Sequence, residues 1–105
     1  MCRNLEILPS KLETDSLKKL NLQGCKKIRK LPEFGERMKR LLYLSASDTS
    51  ITSLPESFGS LTGLRFLNLS GTGFRNLPTD CFSGLFGLVF LSLGDCDWLE
   101  SLPRL

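Results

Sequence analysis

The 105-residue chain contains no histidine. It therefore has no side chain whose ordinary pKa suits proton shuttling near neutral pH, and no imidazole to ligate zinc. No CxxC pair, GxSxG elbow or GxxxxGK[ST] loop occurs, so zinc knuckles, that serine-hydrolase geometry and a phosphate-cradling loop have no sequence support. No apolar run approaches the ~20 residues of a membrane span. The opening MCRNLEILPS lacks a basic region followed by an apolar core, and so does not read as a secretory signal. Asp95 and Asp97 flank Cys96, but acids beside a small turn residue need no chemistry. The reading is a non-enzyme with no metal and no cofactor of its own.

Charge of one sign is also scarce overall, at +3. It is unevenly placed: residues 1–40 hold 11 Lys/Arg against 5 Asp/Glu, and residues 41–105 hold 3 against 6. The densest cluster is Lys26, Lys27, Arg29 and Lys30. It has no interleaved aromatics, so it reads as a solvated turn rather than a nucleic-acid site. No nucleic-acid or membrane partner is expected.

What the chain has in abundance is leucine, 23 of 105 residues, and the leucines keep time. In SLKKLNLQGCKKIRKLPEF the apolar positions Leu17, Leu20, Leu22, Cys25, Ile28 and Leu31 are spaced three, two, three, three, three. A helix would give threes and fours, and a half-buried strand twos. The pattern recurs from Leu41, Leu64 and Leu88, at intervals of 24, 23 and 24 residues. It divides the chain into a partial unit 1–16, full units 17–40, 41–63 and 64–87, and a last, partial unit 88–105. All five prolines follow a leucine, which by chance has odds below roughly one in a thousand.

A coil with three kinds of wall explains the rhythm. In LxxLxL the last two leucines alternate as on one face of a short strand. A turn follows (GC, DT, GT or DC), then an inward residue, Ile28, Ile51, Phe74 or Leu99, and then Leu-Pro. Proline lacks an N–H and holds its predecessor extended, which suits chain outside any ladder. The return is anchored by Leu12, Phe34, Phe58 and Phe82. One coil cannot bury its own leucines, but stacked coils bury each other's. Stacking should line up Leu20, Leu44, Leu67 and Leu91, with Leu44 and Leu67 as mid-array core. The turn position takes Cys2, Cys25, Thr49, Thr72 and Cys96, which must be small and able to donate to a turn carbonyl. A buried thiol is the leading reading for these cysteines, ahead of a disulfide or a metal ligand. Cys81 falls on the outer return.

The unit LxxLxLxxC/T(x)xLxxLP resembles a leucine-rich repeat across nearly the whole chain. The fold class this implies is α/β: a curved right-handed solenoid with a short parallel concave sheet and an irregular or short-helical convex side. LKKLNLQGCKKIRKLPE and TSITSLPESFGSLTGLRFLNLSGT resemble repeats of plant intracellular nucleotide-binding leucine-rich-repeat disease resistance receptors, in the class with a Toll/interleukin-receptor-like domain. That resemblance implies a cytoplasmic or nuclear protein-interaction module for defense signalling. It would contact a pathogen effector or other domains of a parent receptor, and restrain a nucleotide-binding switch. ADP or ATP would bind a domain outside this chain. Starting within one unit and ending after a Leu-Pro, the chain reads as a fragment. Two alternatives remain: an extracellular receptor ectodomain, suggested by the triplet Asn68-Leu69-Ser70 but opposed by the lack of GxIP segments, and a scaffolding fragment with no partner of its own.

Strand alternation assigns a solvent-facing set: Lys19, Asn21 and Gln23; Tyr43, Ser45 and Ser47; Phe66, Asn68 and Ser70; Phe90, Ser92 and Gly94. The column Asn21, Ser45, Asn68, Ser92 is small and polar. The column Lys19, Tyr43, Phe66, Phe90 places three aromatics in a row, and exposed apolar stripes tend to mark partner sites. The alternative is that these rings merely cover each other.

Overall fold

A computed structural model describes residues 11–74 and 84–94. Among the described residues its main sheet has four strands, one in each unit from residue 17 onward: β2 (Lys19–Asn21), β4 (Tyr43–Ser45), β5 (Phe66–Asn68) and β6 (Phe90–Ser92). All are parallel and lie in chain order, β2-β4-β5-β6. Each starts 24, 23 or 24 residues after the one before, enough chain for the crossover that parallel neighbours require. The register pairs Leu20 with Leu44, Leu44 with Leu67, and Leu67 with Leu91. The leucine spine expected from the repeat is thus formed. Leu44 and Leu67 are fully buried, while Leu20 and Leu91 at the outer strands are half-buried.

The ladder continues past the strands. Leu22 N–H donates to Ser45 O, Ala46 to Asn68 O and Leu69 to Ser92 O, at 2.7–2.9 Å. One residue pair further, Gly24, Asp48 and Gly71 donate to Ser47 O, Ser70 O and Gly94 O. At those three residues the chain turns out of the sheet with φ of +79°, +56° and +67°. Glycine enters this left-handed region without a Cβ clash, and aspartate is one of the few other residues that visits it.

Immediately after the turn, Thr49 and Thr72 are buried, and their hydroxyls donate to Ala46 O and Leu69 O at 2.8 Å. This is the small inward donor expected there. Cys25, at the same position, is fully buried, but it is disulfide-bonded rather than a free thiol. Its partner lies outside the described residues, as do Cys2, Cys81 and Cys96, Phe82, Leu99, and the Leu-Pro pairs ending at Pro9, Pro78 and Pro103.

Behind the turn Ile28, Ile51 and Phe74 are buried, and Leu31 with them. The return side has the short-helical elements expected and one short sheet besides. A second, two-stranded parallel sheet pairs β1 (Lys11–Leu12) with β3 (Glu33–Phe34), Lys11 opposite Glu33 and Leu12 opposite Phe34. Short 3₁₀ helices follow at Met38–Arg40 and Glu56–Ser60. Phe34 and Phe58 are buried and meet edge to face, with centroids 6.3 Å apart. Ser57 holds two units together: its hydroxyl donates to Glu33 Oε1 and accepts from Phe34 N–H, both at 2.7 Å.

Met38 is core, fully buried, at the phase that Leu61 and Leu85 occupy in the next units. Three residues on, Leu41 and Leu64 open the following unit and are also sealed. At Gly63 the units approach so closely that a Cβ would run into the Lys39 carbonyl.

An aromatic ladder on the strand face

The strands set their outward side chains about 4.8 Å apart, close to the centroid separation of offset-stacked rings. Tyr43 and Phe66 use that spacing fully: their centroids are 4.4 Å apart and their planes 6° from parallel. Phe66 and Phe90 repeat the arrangement at 4.5 Å and 4°. The first rung is a cation, Lys19, whose Nζ lies 4.7 Å from the Tyr43 centroid. Such a contact contributes about 0.5–1 kcal/mol at an exposed site. The column is therefore continuous from Lys19 to Phe90, and each ring covers its neighbour's face. It is still accessible: Tyr43 and Phe66 are half-buried, and Phe90 is 45% exposed.

The polar column beside it is less open than strand alternation suggests. Asn21 and Gln23 are exposed, and Asn68, Ser70 and Ser92 are half-buried. Ser45 and Ser47 share their face but do not reach solvent, with 1% and 3% exposure. Ser45 stands in register between Asn21 and Asn68, and its short side chain is overtopped by longer neighbours. Its hydroxyl instead lies 3.4 Å from that of Ser47. These two serines are thus corrected from contact residues to a buried polar pair.

Asn21 and Asn68 act locally. Asn21 Oδ1 accepts from Gln23 N–H at 3.0 Å, and Asn68 Oδ1 accepts from Ser70 N–H at 3.0 Å and Ser70 Oγ at 2.7 Å. Both are side-chain turns that fix the strand exit. The Asn68-Leu69-Ser70 triplet therefore has a structural use in this fold.

Alternation arguments missed the position just before the ladder, which opens each strand segment. Lys18, Leu42, Arg65 and Val89 occupy it, and all four are exposed, Leu42 to 41% and Val89 to 83%. The signal was available: the two residues between the first leucines of LxxLxL are both outward, so that motif carries two solvent columns.

The matches to known proteins agree with this geometry. A leucine-rich repeat family model matches residues 15–74. The chain belongs to the leucine-rich repeat family. Over 104 residues it is 34% identical to "Disease resistance protein RPS4B" of Arabidopsis thaliana, covering 99% of this chain and 9% of that protein. It is 34% identical over 103 residues to "Protein SUPPRESSOR OF npr1-1, CONSTITUTIVE 1" of the same plant, covering 97% of this chain and 7% of the relative. Against "TMV resistance protein N" of Nicotiana glutinosa the identity is 38% over 76 residues, covering 70% of this chain and 7% of the relative. This leucine-rich repeat chain thus spans about a tenth or less of these relatives.

Proposed function

We propose that the chain is a protein–protein interaction module of a plant innate immune receptor, and that the Lys19–Tyr43–Phe66–Phe90 ladder is its contact surface. The partner is a pathogen effector or another domain of the parent receptor. In the second case the contact holds a nucleotide-binding switch inactive. ADP or ATP then binds the parent outside these repeats, and the module works in the cytoplasm or nucleus as part of a curved, right-handed solenoid.

The observation that carries this reading is the ladder itself. A sheet face that only needed solvation would carry small polar residues throughout, as the Asn21–Ser45–Asn68–Ser92 column does. Large aromatics at an accessible centre are the side chains that most often dominate protein contacts. The names of similar proteins, among them disease resistance proteins, supply the immune setting.

The test is the Phe66→Ala substitution, read in a pull-down of receptor domains and candidate effectors and, separately, in thermal melting. The expected result is lost capture with little change in melting, because the leucines beneath remain packed. Unfolding of the variant would make the column a structural cover and sink the reading.

A further inference from the structure

The ladder also specifies the chemistry of what it contacts, and this inference rests on the interaction reading above. Face-to-face stacking leaves ring edges, not faces, pointing out of the sheet. Edges carry the positive part of an aromatic quadrupole. The residues around them reinforce that sign. The four strand segments, 18–23, 42–47, 65–70 and 89–94, contain Lys18, Lys19 and Arg65 and no Asp or Glu. All three cations are exposed, and the salt bridge of Lys11 with Glu13 lies on the return side.

The surface has a direction as well. The first unit presents two cations, Lys18 and Lys19, and its turn adds the exposed Lys26, Lys27, Arg29 and Lys30. The fourth presents Val89 and Phe90, 83% and 45% exposed. Between them Leu42 with Tyr43, and Arg65 with Phe66, are mixed. Four strands at ~4.8 Å make the ladder about 14 Å long, the reach of four or five extended residues.

We propose that the ladder takes a short acidic–apolar peptide segment of a protein partner, lying across the strands. Its carboxylates sit over Lys18 and Lys19, and its aromatic or aliphatic end lies on Phe90 and Val89. Charge complementarity sets this polarity: the opposite orientation leaves two ammonium groups beneath apolar side chains and carries the carboxylates away from Lys18 and Lys19.

The test uses the full 105-residue chain, ¹⁵N-labelled, and an acetylated hexapeptide with glutamates at one end and tryptophan and leucine at the other, carrying a nitroxide at either end. A nitroxide at the glutamate end should broaden the amides of Lys19 and Leu20, and one at the tryptophan end those of Phe90 and Leu91. The same peptide with lysine for glutamate should bind at least about tenfold more weakly. The K18E/K19E double variant should reverse that preference. Equal or tighter binding of the lysine peptide, the opposite broadening pattern, or no binding of either peptide overturns the proposal. If Phe66→Ala still abolishes capture of a protein partner while the charge variants leave it unchanged, only the assigned chemistry is wrong and the interaction surface stands.

Discussion

Leu44 and Leu67 stand directly opposite each other in β4 and β5, both with no solvent exposure. Each closes its own coil and roofs the next. The whole strand face depends on that pairing, because it sets the register in which Tyr43 meets Phe66 and Ser45 meets Asn68.

Replacing Leu67 with Asp places an unpaired carboxylate in that sealed layer. The expected cost exceeds about 4 kcal/mol, the range reached by buried unpaired charges. Asn68→Asp, one residue along and on the opposite face, should be nearly silent, since a carboxylate keeps the acceptor used by Ser70. Urea denaturation of the two variants checks the contrast.

The turn gives a pair of opposite effects. Asp48 holds φ +56°, and Asp48→Gly should be neutral to stabilising by up to about 1 kcal/mol. Gly71 holds φ +67°, and a Cβ there would strike the Asp48 carboxylate. Gly71→Ala should therefore destabilise, and Gly71→Ala combined with Asp48→Gly should recover part of the loss. A double-mutant cycle by thermal melting measures that coupling.

Thr49→Val keeps the shape of a buried side chain and removes the hydroxyl that donates to Ala46 O. Leaving that carbonyl without its donor should cost about 1–3 kcal/mol. Thr49→Ser keeps the donor and should lose less. Equilibrium unfolding separates the two.

Cys25 is bonded and buried. Alkylating the denatured, unreduced chain should leave it unmodified, and alkylation after reduction should label it. Peptide mapping by mass spectrometry reads the result directly.

The spine was legible because leucine spacing is a direct record of which side chains face inward. Leu20, Leu44, Leu67 and Leu91 fall into register as the repeat requires, and the Thr49 and Thr72 hydroxyls bond where the turn needs a donor. Features that depend on neighbouring coils were harder to read. Ser45 alternates outward but is overtopped by Asn21 and Asn68, a matter of relative side-chain length across strands. Met38 belongs to the core only because a 3₁₀ turn brings it there, three residues before Leu41. The bond at Cys25 was not legible because the phase of one cysteine fixes its burial and not its pairing. Ring orientation was likewise invisible: a row of aromatics can splay or stack, and these rings stack.

The most direct test of in-register coils presenting a continuous ladder is ring-to-ring proton contact in the folded chain by NMR. Tyr43 should show contacts to Phe66, and Phe66 to Phe90, with none between Tyr43 and Phe90. A Phe66 ring that touches neither of the others would contradict the register and the ladder together.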